Sequence, residues 1–126
     1  MTATETTIAS AIALTGSWRN TNPAPKLIRQ AVFAADGEKF KVRIECSGAF
    51  GSPGSGEAQA FAFSEDPNSS AATAFNAEFS TDQFSTVIQA YVVKGVLVII
   101  SMSQFREGAA ARGVFIKEFF YRENSV

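Results

Sequence analysis

The sequence predicts an all-β protein, an eight-stranded antiparallel up-and-down β-barrel. Three observations carry this. Short runs of alternating apolar and polar or β-branched residues recur along the chain, separated by Gly, Pro, Asn and Asp clusters. Every connection between them is short, which favours sequential antiparallel neighbours over the longer crossings of a Greek-key sandwich, the competing architecture. Closing eight such strands on themselves also removes both exposed sheet edges.

The strands follow in order. Residues 14–20 form the first, which stops before Thr21-Asn22-Pro23-Ala24-Pro25, where two prolines block a ladder. Residues 27–35, the Asp36-Gly37 turn signal and residues 39–47 read as a hairpin. In its second arm Phe40, Val42, Ile44 and Cys46 alternate with Lys39, Lys41, Arg43 and Glu45, the pattern of a half-buried strand. Residues 57–65 follow the Gly/Ser/Pro loop at 51–56, and residues 71–80 follow Asp66-Pro67-Asn68. A second hairpin joins residues 83–93 to 96–105 through Lys94-Gly95, and residues 111–122 close the series after Arg106-Glu107-Gly108. Residues 1–13 read as an N-terminal arm preceding a barrel domain at 14–123. The apolar run at 8–14 has no preceding Lys or Arg and is far shorter than the roughly 20 residues of a membrane helix, so a cytoplasmic chain is expected.

Composition excludes several function classes. With 11 basic and 12 acidic residues and no basic cluster, the chain has no electrostatic footprint for nucleic acid or an anionic membrane. It contains no histidine, which removes Ser-His-Asp and Cys-His nucleophile systems and His-ligated zinc. The single cysteine, Cys46, forms no intrachain disulfide and no Cys-rich metal site, and reads as a small buried hydrophobe. No metal or cofactor is expected. Phe supplies 12 of the 15 aromatics, so the aromatic content is weighted to apolar volume.

Leu14-Thr15-Gly16-Ser17-Trp18-Arg19-Asn20 resembles the first strand of the avidin and streptavidin family and, more loosely, the Gly-x-Trp start of the lipocalins. The resemblance implies an eight-stranded, calycin-like barrel large enough for a ligand. It also implies that a cation from the last strand covers the first-strand tryptophan; barrel closure places Arg122 beside Trp18 for that purpose. Asn20 matches the family's Asn two positions after the Trp and shares Trp18's inward face. The family's biotin-bonding Ser falls at Ala24, and Trp18 is the only tryptophan, so the resemblance does not extend to biotin.

The parity that turns Arg122 inward also turns Val114, Ile116, Glu118 and Phe120 inward, unless a bulge between residues 113 and 119 puts Lys117 inside instead. A carboxylate inside an apolar barrel has lost its water and must be neutral or paired, and such groups concentrate at working sites. Arg29 is the expected partner, because Leu27, Arg29, Ala31 and Phe33 share a face. Phe61, Phe63, Phe75 and Phe79 are expected to face inward. On the sixth strand the choice lies between Thr86, Ile88 and Ala90 and the alternate set Val87, Gln89 and Tyr91.

The expected function is binding of a small, largely apolar molecule inside the barrel. Trp18, Asn20, Arg29, Phe40, Ile44, Phe75 and Tyr91 would surround it. One alternative is a cofactor-independent barrel enzyme, a cyclase, isomerase or dehydratase, with Glu118 as catalytic acid or base. Another is a protein-interaction or inhibitor barrel with a filled core, contacting its partner through the loops at 49–56 and 106–110. An open interior of about 300 Å³ or more supports the first two readings, and a packed interior supports the third. The sixth to eighth strands are apolar on both faces, which predicts a homodimer or larger assembly through them.

Overall fold

Eight strands pair in sequence order and close into a barrel in the computed structural model, which describes residues 14–36, 39–47, 55–64, 67–68, 72–80, 84–105 and 113–123. They are β1 (Gly16–Asn20), β2 (Ile28–Asp36), β3 (Lys39–Cys46), β4 (Ser55–Phe63), β5 (Ala74–Ser80), β6 (Phe84–Val93), β7 (Val96–Phe105) and β8 (Gly113–Arg122). Every neighbouring pair is antiparallel, and β1 meets β8 in the register Trp18↔Arg122, Arg19↔Tyr121, Asn20↔Phe120. The all-β, up-and-down barrel read from the sequence is therefore the fold, and its closure runs between the two strands expected to close it. Among the described residues no helix is long and apolar enough to cross a membrane. The N-terminal arm at 1–13 and the Asp36-Gly37 turn position at 37 lie outside the described residues.

Local chemistry explains the connections. Lys94 and Gly95 have φ of 51° and 80°, both positive, as a two-residue turn between right-twisted strands requires. The β1–β2 connection is ordered by two successive side-chain turns. Asn20 Oδ1 accepts the Asn22 N–H at 2.8 Å, and Asn22 Oδ1 accepts the Ala24 N–H at 3.0 Å. These replace the ladder that Pro23 and Pro25 cannot join.

One register shift matters for the interior. Ile28 pairs with Cys46 and Gln30 with Glu45, so Arg29 is the extra residue of a bulge. The bulge resets the period of β2: Ile28, Ala31 and Phe33 are buried, and Arg29 is exposed. Arg29 consequently does not share the inward face of Ala31 and Phe33. In β8 the period holds without interruption, and Ile116, Glu118 and Phe120 are all buried. On β6, Thr86, Ile88 and Ala90 face inward, leaving Tyr91 on the outer wall.

The expectation for β4 is overturned. Phe61 and Phe63 are exposed, at 56% and 51%, and the small residues between them turn inward. Volume accounts for the inversion. Phe33 stacks on Phe40 at 5.4 Å and on Phe75 at 4.5 Å between ring centroids, and Phe79 lies so close to Gly56 that a Cβ there would meet the ring at 3.2 Å. Rings reaching in from β2, β3 and β5 leave β4 room only for Gly and Ala.

Candidate functional site

The barrel interior is where the sequence places a ligand or a reaction. Trp18, Asn20, Phe40, Ile44, Phe75 and Glu118 do converge there. They converge as a packed core: Trp18, Phe33, Phe40, Val42, Ile44, Phe75, Ile88, Ile99 and Phe120 are each 3% exposed or less. A void large enough for a ligand would leave accessible surface on its lining, and these inward side chains have almost none. Of the expected ligand-binding set, Arg29 and Tyr91 stand outside the barrel, for the parity reasons given above.

Glu118 is buried and lies at the centre of a donor cluster contributed by the β1–β2 connection. Its Oε2 accepts the Asn20 side-chain amide at 2.8 Å, the Lys26 N–H at 3.2 Å and the Leu27 N–H at 3.3 Å. Its Oε1 accepts the Ile28 N–H at 3.1 Å. The partner expected for this carboxylate, Arg29, is replaced by three backbone amides and one side-chain amide. The Arg29 bulge directly follows the Ile28 amide, so the residue expected as counter-ion instead belongs to the backbone segment that answers the carboxylate. Asn20 has no donor left over: its amide also donates to the Ile28 carbonyl at 2.8 Å, and its oxygen orders Asn22. Asn20 and Glu118, the inward polar residues of the expected site, are thus committed to holding one loop.

Trp18, two residues before Asn20 on β1, seals the core where the start of β1 meets the end of β8. Its indole N–H donates to the Leu14 carbonyl at 3.1 Å, and the Arg122 guanidinium lies over the ring, 4.3 Å from its centroid. The same guanidinium donates to the Thr15 carbonyl. Gly16 permits the approach: its φ is +127°, and a Cβ at that position would come within 2.7 Å of Arg122 Nη1. The cation over the first-strand tryptophan is as expected.

Among the described residues the other buried polar side chains are Thr86, Ser101 and Ser103. Ser103 Oγ donates to Thr86 Oγ1 at 2.8 Å, and Ser101 Oγ is buried without a hydrogen-bond partner. Cys46 is half-buried; burial pushes its thiol pKa up and the Glu118 charge adds to the rise, which keeps it an unreactive thiol.

Sequence reasoning missed Glu123, which stitches the closure from outside. Its Oε1 accepts Ser17 Oγ and Gln30 Nε2, both at 2.6 Å, and its Oε2 accepts Arg19 Nε at 2.8 Å. Its own backbone N–H donates to the Ser17 carbonyl at 2.8 Å. The Ser17 hydroxyl, Arg19 and Gln30 together lower its pKa from the ordinary 4.5 to about 2. A folded-state pKa below the unfolded one gives stability that is fully present above about 4.5 and is lost as the pH falls through about 2. Thermal melts from pH 6 down to pH 2 are therefore expected to show a steeper loss for the wild type than for Glu123→Gln. Parallel slopes would show that Glu123 does not couple closure to protonation. No motif signals this residue, because it lies just past the last strand.

A concave surface lies on the outer wall, at the end of the barrel where β5 and β7 finish and β6 and β8 begin. A depression of about 820 Å³ is lined by the laterally paired row Glu78, Val87, Met102 and Phe115, and by the next outward row, Ser80, Ser85, Gln104 and Gly113. The inward residues between these rows form its floor, yet Phe79, Thr86 and Ser103 are 6%, 2% and 2% exposed, against 42% for Met102 and 67% for Phe115. That contrast puts the depression outside the wall. A smaller one of about 400 Å³ adjoins it, sharing Glu78 and Val87, where the β4–β5 ladder is limited to Phe61–Phe63 against Ala74–Asn76. The signal for this surface was present in the sequence as strands apolar on both faces. Comparison of the chain with protein-family models, with curated proteins and with solved structures gives no match.

Proposed function

We propose that this chain is a protein-contact barrel: a solid, calycin-like scaffold that works through the outer wall of β5–β8. The observation that carries the proposal is the contrast between the two sides of that wall. Inward side chains are packed to a few per cent exposure, while outward Met102 and Phe115, at a depression of about 820 Å³, and Phe119 and Tyr121, farther along β8, remain 42–67% exposed. The avidin-like reading of residues 14–20 supports the barrel type and the Trp18–Arg122 seal, but its ligand-facing Asn20 is occupied within the fold. An acid–base role for Glu118 loses support for a related reason. A carboxylate already accepting four N–H groups is oriented toward its own loop and away from any reactant.

Native mass spectrometry of the purified protein tests the proposal. The expected spectrum contains the bare chain mass or its whole-number multiples, and incubation with apolar ligands such as a fatty acid or a sterol leaves the melting temperature unchanged. A stoichiometric small-molecule adduct, or a melting temperature raised in proportion to the logarithm of added ligand, would return the interior-binding reading.

A further inference from the structure

We infer that the β4–β5 boundary is a slot for an added β-strand, and that its partner is an extended polypeptide segment alternating apolar and basic residues. The inference goes beyond the reading of the β5–β8 wall and stands apart from it. β4 runs Ser55–Phe63 and β5 runs Ala74–Ser80, but their ladder holds Phe61–Phe63 against Ala74–Asn76 and then stops. Continued in register, Ala60 would face Ala77, Gln59 would face Glu78 and Ala58 would face Phe79; none of these pairs forms. Each strand stays paired on its other side, β4 with β3 over Ser55–Ala60 and β5 with β6 over Ala74–Ser80. Two strand edges therefore face each other with main-chain N–H and C=O groups that have no ladder partner across the boundary. Such edges recruit an extra strand.

The shape of the gap fits a strand entering from one end. The connection at 64–73 joins β4 to β5 beside the paired positions, so the gap opens at the opposite end, where β4 begins and β5 finishes. From inside it is closed by a side chain instead of a ladder: the Phe79 ring lies against Gly56, where an added Cβ would meet it at 3.2 Å. From outside it is marked by the depression of about 400 Å³, lined on its two banks by Ala58, Gln59 and Phe61 and by Asn76, Ala77 and Glu78. The stretch of β4 without a β5 partner, Ser55–Ala60, is about 20 Å long at a strand's rise, which accepts a segment of five or six residues. Seating it sets β4 and β5 two strand spacings apart, about 9.6 Å, with the three paired positions as the hinge. The side chains give the partner its pattern. On the inward side β4 offers Gly56, Ala58 and Ala60, whose small size leaves room for apolar side chains. On the outward side stand exposed Glu78 and exposed Glu57, the latter 4.0 Å from Lys41, and these two acids favour Lys or Arg on the partner's outer face.

Nitrogen-15 NMR of the full chain, titrated with a peptide of about eight residues alternating Val and Lys, tests this. The expected result is a saturable shift of the amide signals of residues 55–60 and 77–79, complete below about 1 mM peptide. The same peptide N-methylated at every Val keeps its charges and side chains but loses its donors toward one strand edge, and should bind at least about tenfold more weakly. Glu78→Lys, at an exposed position, should stay folded and weaken the unmodified peptide by about threefold or more. No shift at about 1 mM peptide overturns the inference. So does equal binding of the N-methylated peptide, which would mean attraction by charge alone. Shifts centred on Met102 and Phe115 overturn it too, and would instead support contact through the β5–β8 wall.

Discussion

Glu118→Gln is expected to lower the unfolding free energy by about 3 kcal/mol and to leave the barrel folded. The amide matches the carboxylate in shape but presents one oxygen and one NH₂ where the wild type presents two acceptors. Ile28 N–H on one side, and the Asn20 amide with the Lys26 and Leu27 N–H groups on the other, are all donors. Whichever way the Gln side chain turns, its NH₂ faces a donor and at least one buried N–H loses its acceptor. Glu118→Ala removes both oxygens and should cost more, whereas Glu118→Asp keeps the acceptors one methylene short and should fall between wild type and Gln. Urea denaturation measures the series. An ordering of wild type, Asp, Gln and Ala supports a carboxylate that latches the β1–β2 connection. Equal stability of wild type and Gln would show that these contacts contribute nothing net, and would reopen the acid–base reading.

The fold was legible because its signals are local. Alternation in 39–46, the Lys94-Gly95 turn between two apolar runs, and the proline pair at 23 and 25 each fix a strand or a break without help from distant residues. Strand boundaries accordingly agree to within a few positions at every element. Parity was less legible, since a single extra residue inverts it. Nothing in Leu27-Ile28-Arg29-Gln30 announces the bulge, which adjoins the Ile28 N–H that Glu118 accepts from two strands away. The inversion of β4 is likewise a tertiary effect: Phe61 and Phe63 are the more hydrophobic choice for the inside, and the rings of Phe33, Phe75 and Phe79 have already taken the space.

The candidate site divides along the same line. That Glu118 is inward followed from period 2 alone. What answers it did not, because backbone amides are present at every residue and carry no sequence signature. The outer wall was visible as apolar residues at alternate positions of three successive strands. Its depression arises from lateral pairing, which brings Glu78, Val87, Met102 and Phe115 into one row from four separate strands.

Trp18→Ala is expected to have the largest effect of any single replacement, a loss of about 4 kcal/mol, within the range for truncating a fully buried aromatic. Three separate contributions disappear together. The indole is 1% exposed, so its removal leaves a void among rigid neighbours. The Leu14 carbonyl loses its donor, and Arg122 loses the ring it covers and keeps only part of its anchorage at the Thr15 carbonyl. All three act at the β1–β8 seam, whose ladder has only three paired positions. The β2–β3, β6–β7 and β7–β8 pairs can absorb a lost side chain by relaxing against a longer ladder, but the seam has little ladder to relax against. Hydrogen exchange should therefore report the damage locally first. Amides of β1 and the end of β8 are expected to exchange faster in Trp18→Ala while those in the β6–β7 hairpin keep their protection. Trp18→Phe separates the terms, since it restores most of the volume and stacking without the indole N–H, and should recover more than half of the lost stability. Uniform acceleration across all eight strands would mean that closure has no independent stability and that the barrel opens only as one cooperative unit.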